Sequence, residues 1–126
     1  MAVKKFSARF VSGKLRDFVE NIVVKVTVNV TAELGERTPV LTGWAASNWI
    51  PQIGKRTEQP FGSKEAVSGV ATEVGLALVT ASYALPQIVH ITNAVYYILD
   101  LNDGTSTKAP PFFVETAIAK AIKSVV

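Results

Sequence analysis

A chain of 126 residues with 48% hydrophobic content has the size of one domain and enough apolar material for a core, which excludes a disordered class. It has no cysteine, so disulfides, a thiol nucleophile and thiolate-bound zinc are excluded, in keeping with a reducing compartment. The formal net charge of +3 is a mild excess carried by Lys4, Lys5, Arg9, Lys14 and Arg16 near one end and by Lys55 and Arg56 mid-chain, groups that read first as solvated faces and second as loose contacts to nucleic acid or an acidic neighbour.

The basic N-terminal residues are not followed by an apolar run of signal-peptide kind. The most apolar stretch, residues 22–30, is interrupted by Lys25 and Asn29 and is too short to span a bilayer. The chain reads as soluble, with no membrane partner.

The first element is a helix over residues 12–34. Leu15, Phe18, Val19, Ile22, Val26, Val30 and Leu34 recur at helical spacing, Ser12 stands where a cap belongs, and Gly35 stands at C′. A strand pattern competes, because Val24, Val26, Val28 and Val30 alternate with Lys25, Thr27 and Asn29. Length decides for the helix, since strands average roughly 5–6 residues.

Thr38, Pro39, Val40, Leu41, Thr42 and Gly43 form a turn, with Pro39 fixing φ and Gly43 free to take a positive one. A strand is predicted over 44–53, with Pro51 marking an edge or a bulge. Residues 54–62 are polar and read as a surface loop. A second helix is predicted over 63–81, capped by Ser63, with Ala66, Val67, Val70, Val74, Ala77, Leu78 and Ala81 as its core stripe. Gly69 and Gly75 weaken it by about 1 kcal/mol each.

Residues 87–92 alternate as a short strand around His90, followed by a helical turn from Tyr96 and a turn cluster at Asn102, Asp103, Gly104, Thr105 and Ser106. Pro110 and Pro111 are predicted to open the last helix, with Val114, Ala117, Ile118, Ala121, Ile122 and Val125 as its apolar face and Lys120 and Lys123 near its C-terminus. The fold class is therefore α+β: a small single domain over 1–126 with a long N-terminal helix, a small mainly antiparallel sheet, a middle helix and a C-terminal helix. Residues 1–11 are expected to be an arm, flexible or ordered by a partner.

No catalytic set emerges. The lone His90 sits mid-strand with nothing of metal-ligand type at a recognisable spacing. Asp100 and Asp103 read as turn chemistry, lacking the spacing of a calcium loop. There is no nucleophile elbow, P-loop or dinucleotide fingerprint. No cofactor and no metal is expected, and the chain reads as a non-enzyme. The aromatics say more. Trp49, Tyr97 and one phenylalanine are expected in the core, whereas Trp44, Tyr96 and Phe112, with Lys55 and Arg56, are candidate interface residues, since aromatics are enriched where subunits meet.

Three pieces in order carry a resemblance. The first is Thr38, Pro39, Val40, Leu41, Thr42 and Gly43, followed by Ser47, Asn48 and Trp49. The second is Ile91, Thr92 and Asn93, followed by Tyr96 and Tyr97 and then by Gly104 and Ser106 in the turn. The third is Ala109, Pro110, Pro111, Phe112, Phe113 and Val114. Together, over residues 12–122, they resemble the neck, or tail-completion, proteins of tailed bacteriophages. The chain departs from that pattern in having Trp44 where a charged residue often follows the T-G, and Asn102 and Asp103 where many members carry a glutamate before the glycine.

The resemblance implies a structural virion protein of the head–tail junction, assembled in the host cytoplasm. It implies a homo-oligomeric ring of six or twelve copies meeting neighbouring connector, adaptor and tail proteins, with DNA passing through the channel without sequence-specific binding. It also makes Thr38, Pro39, Val40, Thr42, Gly43, Asn48, Trp49, Asn93, Tyr97, Gly104, Ser106 and Pro110 the structural motif residues. The alternatives are a small basic nucleic-acid-binding module, an adjacent-ring tail terminator or head-closure subunit, and a small hydrolase using His90 with Asp100 or Asp103.

Overall fold

The computed structural model describes residues 8–40, 43–104 and 111–125. In chain order these form α1 (Ala8–Arg37), a 3₁₀ turn (Ala46–Asn48), β1 (Ile50–Ile53), α2 (Val70–Ser82), β2 (Val89–Thr92), α3 (Ile98–Asn102) and α4 (Phe113–Lys123). β1 and β2 pair antiparallel, with Ile50 opposite Thr92 and Ile53 opposite Val89. This is a small α+β domain in which the two described strands pair with each other.

α1 outgrows its expected ends. Ser12 lies inside the helix and caps nothing, and of the arm expected over 1–11, residues 8–11 are helical while 1–7 lie outside the described residues. At the other end Gly35 is helical and not a C′ residue, because both the backbone N–H and the hydroxyl of Thr38 close onto the Leu34 carbonyl. Pro39 then stops the helix, having no N–H to continue it.

The β-branched run settles as helix, and within it the threonines satisfy themselves. Thr27 Oγ1 donates to the Val23 carbonyl at 2.8 Å and Thr31 Oγ1 to the Thr27 carbonyl at 2.7 Å. With their hydroxyls bonded, both can be buried beside Val30 and Leu34 on one face.

That face meets α4. Phe113, Ala117 and Ala121, one helical turn apart, pack with Val30, Leu34 and Trp49 in the main core. The alanines let the two helix axes approach closely, while Ile118 and Ile122, expected on the buried face, are exposed. A second small cluster holds Trp44, Ala45 and Val95.

Beyond α1, the starts of β1, α2 and α4 depart most from expectation. The strand predicted over 44–53 begins only at Ile50, because Ser47 N–H bonds the Gly43 carbonyl and Asn48 N–H bonds the Ala45 carbonyl, winding residues 46–48 into a 3₁₀ turn. The helix predicted from Ser63 begins at Val70, because Ser63 and Ala66 bond each other's backbone and the Ser63 hydroxyl accepts from Ala66 N–H, closing a local turn.

The last helix begins at Phe113, not at the prolines; Pro110 lies outside the described residues and Pro111 precedes the helix by two positions. Phe112 stands before it with φ 62°, a left-handed conformation costing roughly 1–2 kcal/mol for a residue with a Cβ. The missing N-cap is supplied from α3, where Asn102 Oδ1 accepts from Val114 N–H at 2.9 Å and the Asn102 carbonyl accepts from Phe112 N–H at 2.7 Å.

α2 turns an unexpected face inward. Gly75 and Val79 are its buried residues, whereas Val70, Val74 and Leu78 of the predicted core stripe are 53%, 51% and 58% exposed. The reason is a close approach to β1: a Cβ on Gly75 would stand 2.3 Å from the Pro51 carbonyl oxygen. Only glycine permits that contact. The helix therefore packs by its smallest residue and leaves its bulky face outside.

Candidate functional site

The motif residues form a buried polar frame. Trp49 Nε1 donates to Thr38 Oγ1 at 2.7 Å, joining the turn after α1 to the segment before β1. Asn48, fully buried, donates to the carbonyls of Trp44 and Phe61 and accepts from Phe61 N–H at 2.7 Å, pinning the polar loop. Asn93 Nδ2 donates to the Ala45 carbonyl at 2.8 Å, fastening the end of β2 to the same place. Thr72 Oγ1 lies 3.1 Å and 2.9 Å from the carbonyls of Ser47 and Trp49. Among the described residues no buried side-chain nitrogen or oxygen lacks a partner. Gly43 has φ 84° and Gly104 φ 96°; Pro39 is half-buried, Val40 exposed, and Thr42, Ser106 and Pro110 lie outside the described residues.

The five interface candidates divide. Trp44 is buried, with its Nε1 donating to the Phe61 carbonyl at 3.1 Å, so it is a core residue and not a surface anchor. Tyr96 and Phe112 are 77% and 59% exposed, and Lys55 and Arg56 are exposed on the polar loop. Tyr96, the half-buried Tyr97 and Trp44 form an edge-on aromatic group with ring centroids 5.0–6.4 Å apart. Lys64 Nζ reaches the Tyr96 hydroxyl at 3.3 Å and lies 5.5 Å from the Tyr97 centroid. The hydrogen bond it donates to Tyr96 holds the Lys64 pKa above its ordinary value.

His90 lies in β2 opposite Gln52, while Asp100 and Asp103 stand exposed on and just after α3. No group of three or more metal-ligating side chains occurs among the described residues. No helix among them is long and apolar enough to cross a membrane.

The sequence reading missed how much apolar surface stays uncovered. Sixteen large hydrophobic side chains are exposed among the described residues, against eleven buried hydrophobic ones of which three are alanine. Two places concentrate them. One is the outer face of α2, where Val70, Val74 and Leu78 border a groove of about 750 Å³ floored by β1 and edged by Lys55, Pro60 and Phe61. The other is the N-terminal part of α1, where every residue from 12 to 19 is exposed, including Leu15 at 59% and Phe18 at 62%. A 30-residue helix is about 45 Å long, half again the ~30 Å diameter of a small domain, so one end must project.

No family model, curated protein or solved structure matches the chain.

Proposed function

We propose that this chain is a non-catalytic structural subunit of a tailed-phage head–tail junction, one copy in a ring that joins tail to head around the DNA channel. The observation that carries the assembly reading is the exposure of neighbouring apolar side chains on two faces, Leu15, Phe18 and Val19 on α1 and Val70, Val74 and Leu78 on α2. Isolated exposed hydrophobics are ordinary, but contiguous faces of them mark surfaces that another protein covers. The ordered motifs from Thr38 to Val114 then say which assembly, by their resemblance to neck proteins. Those residues hold the frame together (Trp49 to Thr38, Asn48 to Phe61, Asn93 to Ala45), and the function lies on the faces they position.

The test is electron microscopy of particles made when the gene is silenced. The expected result is DNA-filled heads beside separate, complete tails. Normal infectious particles with tails attached would refute the reading.

A further inference from the structure

The segment between α2 and β2 lies against α1 and is fastened to it by a carboxylate. Glu20 Oε2 on α1 accepts from the Leu85 backbone N–H at 2.8 Å. The rest of residues 83–87 holds loosely to the domain. Tyr83 and Leu85 are half-buried, while Ala84, Pro86 and Gln87 are exposed. Beneath them is an open cleft of about 410 Å³, lined by Ile22, Val23 and Val26 of α1 and by Tyr83, Gln87 and Ile88. Apolar side chains that face a cleft forgo the dispersion that close packing would give them.

The segment is nevertheless well tied within itself. The Gln87 N–H donates to the Ala84 carbonyl at 2.9 Å. The Ala84 N–H donates back to Gln87 Oε1 at 2.9 Å, and the Tyr83 hydroxyl donates to the Gln87 carbonyl at 2.9 Å. These bonds survive if the segment swings away from α1. Its ends are fixed, because the Tyr83 N–H still closes on Val79 of α2 and the Ile88 carbonyl accepts from the Gly54 N–H at the end of β1. What a swing breaks is the bond to Glu20.

We propose that residues 83–87 are a strap that opens as one piece, with Glu20 as its latch. Regions with few buried contacts open locally at less cost than the whole domain unfolds. A bond to an ionised acceptor is stronger than a neutral one, so the latch carries much of the cost of opening. Its position gives the opening a consequence. Every residue of α1 from 12 to 19 is exposed, and Glu20 is the next in line and half-buried. Leu15 and Val19 continue at a spacing of four into Val23, and Phe18 into Ile22. Opening the strap uncovers Ile22 and Val23, lengthening the exposed apolar face of α1 by about one turn, ~5 Å. The strap thus sets how much of the stripe the chain covers for itself. This holds whatever the projecting half of α1 meets, so it stands apart from the junction reading.

The chain has no cysteine, so one placed under the strap reports its opening. Val23→Cys is labelled with a maleimide, with Val19→Cys as the exposed reference and Val30→Cys as the core reference. Val23→Cys is expected to react more slowly than Val19→Cys. Adding Glu20→Ala should raise the Val23→Cys rate roughly tenfold, the lower end for a hydrogen bond to a charged group, because water partly screens Glu20. The Val30→Cys rate should stay as it was. Glu20→Gln keeps an acceptor without the charge; it should give a smaller rise, and it serves should the alanine variant fold poorly. Ile22→Cys repeats the test from the neighbouring row. A Val23→Cys rate that Glu20→Ala leaves unchanged overturns the latch. A Val30→Cys rate that rises in step overturns the local opening, since the whole domain would then be unfolding.

Discussion

The two halves of α1 carry one apolar stripe and meet opposite fates. From Val26 to Leu34 it is covered by α4, whose Ala117 and Ala121 are 0% and 1% exposed. From residue 12 to residue 19 the same helix is exposed on every side. Spacing of apolar residues is thus the same signal in both halves. It states that something covers the stripe and is silent on whether the cover comes from the same chain.

The comparison can be broken at four places. Leu34→Ala, in the covered half, is expected to cost about 2–5 kcal/mol in urea unfolding, as a buried leucine whose site cannot fully collapse. A cost below 1 kcal/mol would mean that α1 and α4 are not packed as described. Thr38→Val at the end of the covered half leaves the Trp49 indole N–H buried without its acceptor, for an expected loss of about 1–3 kcal/mol. Thr38→Ser keeps the acceptor and should recover most of it.

Gly75→Ala tests why α2 turns its bulky face outward. Helix propensity alone favours the alanine by up to ~1 kcal/mol, but its Cβ would meet the Pro51 carbonyl oxygen at 2.3 Å, and overpacking costs about 1–3 kcal/mol. A net loss of stability is expected in thermal melts, and a net gain would contradict the close approach. Phe18→Ala in the open half should move the unfolding midpoint of dilute protein by no more than ~0.5 kcal/mol, as exposed substitutions do. Its effect belongs to sedimentation at high concentration, where it should shift the protein toward monomer.

Much of the fold was legible. The long first helix, the pairing of two short strands, the turn at Pro39 and the α+β class all follow from local chemistry: helical spacing, alternation and turn residues act within a few positions of themselves. Gly43 and Gly104 were legible as turn-builders, and Trp49 as core. Trp44 was not, because its burial depends on the Phe61 carbonyl 17 positions away. Asn102 gave no sign of capping α4, since a cap reaching across from another element leaves no trace in spacing. The start of α2 was misplaced because Ser63 serves a turn as readily as a helix cap.

What the amino-acid sequence determines by itself is therefore the inventory: which segments are helical, which are extended, where the chain must turn, and that no familiar catalytic motif occurs. What only the tertiary structure decides is orientation. Val74 and Gly75 are neighbours on one helix, and the spacing of apolar residues puts the valine inside. The 2.3 Å between a Gly75 Cβ and Pro51 puts the glycine inside instead, because the closest packing of a helix on a strand is set by backbone reaching backbone. That choice exposes the face of α2, and with it the surface on which the proposed assembly depends.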